Sequence, residues 1–327
     1  MTSHTGDLLD RDASAAFYEH RYADGYMESW PIEKKRRLHD VIRGLPLPEH
    51  GHALDFGCGN GVLTDVLRQA LPPGWIVSGT DISENAIANA SKAYPECHFS
   101  VFGNVEPDHR RFDLCFTHHV LEHVYDLSRV LDDIDRMLNE NAAILHVLPC
   151  GNAGSLEHTV CQLREDGVDP QRGNRCFFEE EGHVRRLTTS ELSSEAAARG
   201  FRLAAEFYSH QYDGTIEWLT RSTRYLACFT NVAAGRTPAA RRELRKLRLK
   251  LWTLWIFRYP AVFVESRLHM KRRSPIETAL LGPAMLLYPF TKPMDVYLKR
   301  KAEVEWQRRH ADRAGSEMYL FFQRRAE

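Results

Sequence analysis

Leu54-Asp55-Phe56-Gly57-Cys58-Gly59-Asn60-Gly61 is an apolar strand end that runs into three glycines at alternate positions. The stretch Val62-Leu63-Thr64-Asp65-Val66-Leu67 follows, and its apolar spacing reads as a helix. Glycine has no Cβ, so the backbone can turn sharply there and approach a ligand closely. The first turn of the helix then offers free N–H groups to that ligand. A strand, a glycine turn and a helix in this order predict an α/β fold with a nucleotide-like cofactor at the turn.

A second strand, Trp75-Ile76-Val77-Ser78-Gly79-Thr80, ends at Asp81, twenty residues after Gly61. A carboxylate there suits a ribose diol, because it accepts both hydroxyl protons. Dinucleotide enzymes share that acid, but their glycines are spaced G-x-G-x-x-G, and position 62 here is Val. The run Asp55-Phe56-Gly57-Cys58-Gly59-Asn60-Gly61 instead resembles the first motif of class I S-adenosylmethionine (SAM) methyltransferases. Gly79-Thr80-Asp81-Ile82-Ser83 is similar to their second motif. Phe99-Ser100-Val101-Phe102-Gly103-Asn104 follows, where the family often has Asp or Asn near the adenine. Phe112-Asp113-Leu114-Cys115-Phe116-Thr117 resembles their fourth strand. Val120-Leu121-Glu122-His123-Val124-Tyr125-Asp126 matches the "LEHV-D" stretch of many small-molecule members. The resemblance covers residues 15–209 and 316–324, and leaves out the stretch between them.

What the resemblance implies is a Rossmann-like, seven-stranded, mostly parallel α/β sheet with an antiparallel last strand. Its cofactor would be SAM, held by Asp55, Gly57, Gly59, Gly61, Asp81, Ile82, Asn104 and Thr117. The glycines would let the backbone approach the methionine portion. Asp81 would hold the ribose hydroxyls, and Ile82 and Asn104 would flank the adenine. Cys58 reads as a small packing residue.

The alternation along the chain agrees. Strands are expected at 52–56, 75–80, 97–102, 112–116 and 142–148, with helices at 60–70, 83–93 and 126–139. Strands alternating with helices imply right-handed crossovers and a parallel sheet. Ser83 is a good N-cap. Residues 1–50 form a helical lead-in, with Phe17, Tyr18, Tyr22, Tyr26 and Trp30 over the cofactor or packed on the domain. Residues 149–187 read as a long polar loop of the kind that serves as a lid. A helix over 188–199 and a sixth strand at 201–209 follow. The seventh, Glu317-Met318-Tyr319-Leu320-Phe321-Phe322, comes only after a hundred residues. Residues 51–209 with 316–327 would be the methyltransferase domain, and 210–315 a helical insertion.

Net charge is −1 over 327 residues, which hides an asymmetry. Residues 236–313 hold 19 Lys and Arg against 7 Asp and Glu, so the remainder is acidic. Two apolar runs lie in this basic stretch, Leu251–Tyr259 and Ala279–Phe290. Both fall short of the ~20 residues that span a bilayer. Arg258 and Pro260 are expected to interrupt the first, and Gly282, Pro283 and Pro289 the second. Basic runs beside Trp, Leu and Phe suit a helix in a membrane interface, where each cation is worth roughly 1 kcal/mol. The expectation is a peripheral, non-spanning anionic membrane partner. A soluble cap or subunit contact and a nucleic-acid grip are the alternatives. The seven cysteines form no C-x-x-C pair, as in a reducing cytosol, and the N-terminus has no basic and apolar leader.

His118-His119-Val120-Leu121-Glu122-His123 follows the fourth strand, where methyl acceptors sit in similar enzymes. On a helical turn, residues three and four apart share a face, so His119, Glu122 and His123 would converge. His118 or His119 would be the general base, with His183 closing the site from the 149–187 segment. Quinone-ring and small-RNA methyltransferases carry a metal on E-x-x-E-H here, so His119, Glu122, His123 and His183 form a candidate divalent-metal set, with His119 replacing the first Glu. The acceptor expected is a small apolar or lipid-linked molecule, methylated on oxygen; an RNA acceptor is the runner-up.

Overall fold

The computed structural model describes Glu19, Arg21, Tyr22 and residues 30–103, 111–180, 182–268 and 273–325. The chain divides into two compact units. The first takes the described residues up to Leu148, together with Ser190–Glu206 and those from Tyr319 onward. The second takes Pro149–Thr189 and Phe207–Met318. The expected insertion, 210–315, falls wholly inside the second unit, which also absorbs residues 149–189.

The first unit opens with α1 (Ile32–Arg43), which packs on α2 (Val62–Ala70). Its sheet contains β1 (His50–Phe56), β2 (Gly74–Asp81), β3 (His98–Val101), β4 (Phe112–His118), β5 (Leu138–Pro149), β8 (Phe201–Ser209) and β9 (Glu317–Arg324). The order is β3-β2-β1-β4-β5-β9-β8. The first five strands pair in parallel, with Asp55 level with Gly79 on one side and with Phe116 on the other. The last strand runs antiparallel to its neighbours. Ser316 N–H donates to Ser209 O and Arg325 N–H to Gly200 O, so the start of β9 lies at the end of β8. β5 starts earlier than expected, because Leu138 pairs with Phe112 across a bulge. The crossovers are α3 (Glu84–Ala93) and α4 (Leu127–Arg136), followed by α6 (Thr189–Ala198). Ser83 and Asp126 cap α3 and α4 through side-chain oxygens, leaving fewer orphan N–H groups. Continuous burial over Leu114–His118 of β4 and Ala142–Pro149 of β5 reflects a sheet covered on both faces there.

In the second unit the expected 149–187 loop is not structureless. It holds α5 (Leu156–Leu163) and a short antiparallel pair, β6 (Val168–Asp169) with β7 (Arg175–Cys176). Buried Arg186 is the reason. Its guanidinium donates to Cys150 O at 2.8 Å, Glu179 Oε1 at 2.6 Å, Glu157 Oε2 at 2.9 Å and Ser316 O at 3.2 Å. A segment tied at four points is ordered by charge-assisted bonds that no local pattern announces. Leu156, Val160, Ile216, Leu219, Phe229 and Leu244 form the core of this unit. Around it lie α7 (Asp213–Leu219), α8 (Thr223–Phe229), α9 (Pro238–Ile256), α10 (Tyr259–Leu268) and α11 (Pro275–Arg309).

The expected helix breaks are half corrected. α9 ends at Ile256, and buried Arg258 sits in the turn before α10, so the first apolar run is interrupted there. The second run is not interrupted: α11 continues through Pro283, Pro289 and Pro293. All three prolines are exposed, so water can satisfy the carbonyls they leave without an N–H partner.

Candidate functional site

The glycine turn is set by backbone geometry. Gly57, Gly59 and Gly61 have φ of 79°, 51° and 75°, a region side chains disfavour. The N–H groups of Gly57 and Cys58 donate to Thr80 O at 2.8 and 3.0 Å and anchor the turn to β2. A Cβ on Gly57 would lie 2.4 Å from Val120 Cγ2, so the first motif and the LEHV stretch meet there. Gly61 begins α2 as its N-cap. A Cβ on Gly59 would lie 2.7 Å from the Tyr22 hydroxyl. Tyr22 of the lead-in therefore sits over the turn, while Phe17, Tyr18 and Tyr26 lie outside the described residues.

Asp81 is buried at the end of β2. Its Oδ2 accepts Gly59 N–H at 2.9 Å and its Oδ1 accepts Ser83 N–H at 3.0 Å. Burial pushes its pKa up; N–H groups from Ser83, Gly59 and Ile82 oppose this, and Glu19 adds to it. Each carboxylate oxygen keeps room for another donor. Two ribose hydroxyls would stabilise the charge that burial penalises, so these residues fit the cofactor that the motifs imply. Ile82 is half-buried directly after it. Asn104 lies outside the described residues.

Asp55 is also buried and accepts the Thr64 hydroxyl at 2.6 Å. Burial pushes its pKa to about 7, against the Thr64 hydrogen bond and with a contribution from Asp81. The same burial, with both carboxylates, pushes the Cys58 thiol well up. A thiol kept protonated is a packing group and no nucleophile. Thr117 is buried on β4, and its hydroxyl hydrogen-bonds His146 Nδ1 on β5 at 2.7 Å. Burial lowers the His146 pKa to about 3, which keeps the imidazole neutral.

The histidine cluster differs in detail from the expected helical turn. His119 has φ of 54°, and its N–H donates to Val147 O at 2.8 Å. A left-handed residue cannot continue a right-handed helix, so 121–123 form a turn closed by His123 N–H on Val120 O. His119 and Glu122 still converge: Nδ1 lies 2.8 Å from Oε1, and the Glu122 side chain is 2% exposed. The His118 and His119 ring centroids are 4.5 Å apart, and Trp30 packs edge-on against His118 at 4.8 Å. His183 lies in the second unit, with Glu179 and Glu180 at 3.9 and 3.7 Å.

The site thus gathers Asp55, the three glycines and Asp81 on one side, and Trp30, His118, His119 and Glu122 on the other. The sequence reading missed Glu19 and His146. Glu19 accepts from Ser83 Oγ and Asn85 N–H at the start of α3, a contact across more than sixty residues with no local signal. His146 reads only as one polar residue inside an apolar strand.

A family model described as a methyltransferase domain matches residues 20–206, more than half of the chain. Among curated relatives, the trans-aconitate 2-methyltransferase of Variovorax paradoxus is 30% identical over 101 residues, 30% of this chain and 39% of that one. The ubiquinone biosynthesis O-methyltransferase of Coxiella burnetii is 26% identical over 189 residues, 55% of this chain and 77% of that one. The chain thus spans well under half the length of the Variovorax relative. Among solved structures, magnesium protoporphyrin IX methyltransferase from Synechocystis, with bound SAH, is 18% identical with a TM-score of 0.43, covering 62% of this chain and 93% of that one. The glycine turn, the buried acid after β2 and the family match lead to one conclusion: the chain belongs to the class I SAM-dependent methyltransferases.

Proposed function

We propose that the chain transfers a methyl group from SAM to an oxygen of a small apolar or lipid-linked molecule at a membrane surface. The observation that carries this reading is the His119–Glu122 pair, 2.8 Å apart, directly after β4 and joined through Val120 to the glycine turn. Bound SAM supplies an electrophilic methyl on a cationic sulfur, so the protein's work is alignment and proton removal. Asp81 holds the ribose hydroxyls. Gly57, Gly59 and Gly61 let the backbone approach the rest of the cofactor. Glu122, buried, orients His119 and stabilises its protonated form, as the acid of a triad does. His119 takes the acceptor's proton, and His118 and Trp30 wall the acceptor side. The likeness to an O-methyltransferase of ubiquinone biosynthesis supports an oxygen acceptor with an apolar body. Exposed apolar side chains on α9 and α11, such as Leu249 and Leu286, support the membrane surface.

The test uses isotope-labelled SAM with quinol and glycolipid extracts as acceptors, and calorimetry for cofactor binding. Asp81→Ala should abolish SAM binding. His119→Ala should lower turnover by about 10²–10⁴-fold with SAM affinity unchanged, and Glu122→Gln should follow in the same direction. Full turnover by His119→Ala would remove the base assignment. Turnover lost to a chelator and restored by a divalent ion would transfer His119, Glu122 and His123 to metal binding.

A further inference from the structure

On α9, Arg245, Arg248, Leu249 and Trp252 stand three, four and seven residues apart, which places them on one face of the helix. With Val232 they line an open cleft of about 530 Å³. Trp252 is held in place there, its Nε1–H donating to Thr230 Oγ1 at 3.0 Å. Other cations of α9 are engaged: Lys246 with Glu243 at 2.8 Å, Arg241 with Gly235 O at 3.0 Å, and Lys250 with the Tyr212 hydroxyl at 2.8 Å. Among the described residues, no acid pairs with the guanidiniums of Arg245 or Arg248. Two unpaired forks beside an indole and an aliphatic side chain suit an anionic head on an apolar body.

The rest of the second unit continues this character. Leu249 is 73% exposed, and on α11 Ile276, Leu286 and Phe290 are more than 70% exposed. No charged residue occurs from Thr278 through Thr291 of α11. Those fourteen helical residues reach ~21 Å, short of the ~30 Å hydrocarbon core. Among the described residues, no helix is long and apolar enough to cross a membrane. Self-association through the α9 face would set Arg245 and Arg248 against their own copies in a two-fold contact, where like charges repel. An anionic surface neutralises them.

We propose that the α9 cleft seats the phosphate of an anionic phospholipid. Arg245 and Arg248 bind the phosphate oxygens, Leu249 and Trp252 lie against the glycerol and first acyl carbons, and Leu286 and Phe290 enter the same leaflet. This deepens the membrane part of the function proposed above and is independent of the base assignment.

The experiment is co-sedimentation of the full chain with vesicles of phosphatidylcholine, alone or mixed with phosphatidylglycerol, at low and high salt. Wild type should prefer the anionic vesicles and keep part of its binding in salt. Arg245→Gln with Arg248→Gln removes two surface cations and should weaken partitioning roughly thirtyfold. Leu286→Asp with Phe290→Asp should weaken it more than tenfold and leave only salt-labile binding. All four positions are exposed, and unchanged SAM binding by each variant shows that the fold persists. Equal binding to both vesicle types, or unchanged binding by the arginine pair, overturns the cleft. Saturable binding of inorganic phosphate that vesicles do not displace reassigns it to a free phosphate and overturns the lipid. Absent vesicle binding, with a dimer that Leu286→Asp dissociates or with salt-labile binding of an RNA oligonucleotide, also overturns it. Wild type that binds vesicles but not SAM would instead defeat the methyltransferase reading alone.

Discussion

Asp55 and His146 should give the apo protein two opposed pH dependences. The folded Asp55 carboxyl titrates near 7, against 3.8 when solvated. Between those values the native state binds the extra proton, so stability is full below pH 3.8 and falls as pH rises towards 7. At about 1.4 kcal/mol per unit the whole loss is about 4 kcal/mol. His146 has the reverse sign. Its folded value near 3, against 6.5, means that the unfolded chain binds the extra proton, so stability is lost as pH falls from 6.5, by about 5 kcal/mol in full. Between pH 3.8 and 6.5 the two slopes cancel, and wild type should be nearly flat from these groups. Substitution separates them. Asp55→Asn keeps an acceptor for Thr64 and removes the buried charge. The stability difference between Asp55→Asn and wild type should grow by about 2 kcal/mol from pH 5.5 to 8. His146→Asn keeps a partner for Thr117, and its advantage over wild type should grow by about 3 kcal/mol as pH falls from 6.5 to 4.5. Urea unfolding of the cofactor-free protein, extrapolated linearly at each pH, measures both. Differences that stay constant with pH to within ~0.5 kcal/mol would refute the reasoning, because a buried group titrating as in water has no linkage to folding.

Two further perturbations probe the architecture. Gly57→Ala forces a side chain to φ 79° and places its Cβ 2.4 Å from Val120, which should cost about 2–3 kcal/mol and most of the SAM affinity; Val120→Ala in the same chain should return part of the stability in a double-mutant cycle, and no recovery would show that the φ alone is responsible. Arg258 is fully buried, with Nε 3.0 Å from Asp295 Oδ1 and Nη1 2.6 Å from Thr220 Oγ1. Arg258→Met should cost the second unit about 3–5 kcal/mol by stranding Asp295, read as earlier protease cleavage within 207–318; unchanged cleavage would show that lysines 292 and 299 suffice for that carboxylate.

Much of the site was legible because it is local. Glycine at 57, 59 and 61 reports positive φ directly, Ser83 reports a cap, and Asp81 follows a short apolar run. The His119–Glu122 contact was foreseen for a partly mistaken reason: three-residue spacing brings the two together, but in a turn that His119 opens with φ 54°, where a helix was expected. The order within 149–187 has no local signature, because Arg186 organises the segment through Cys150, Glu157, Glu179 and Ser316, whose closeness is no property of any short window.

The sequence by itself determined the parallel α/β sheet, the cofactor turn and the strongly basic, apolar character of the stretch before the last strand. These follow from backbone preference and side-chain periodicity, which act over a few residues. Only the tertiary structure decided that β9 lies between β5 and β8, that α11 runs unbroken through three prolines, and that Arg245 and Arg248 remain unpaired among the described residues while Arg258 is buried. Those outcomes depend on which distant groups meet once the chain has closed its loops, and a charged or apolar side chain carries no local mark of whether its partner will be a carboxylate, a core or a surface.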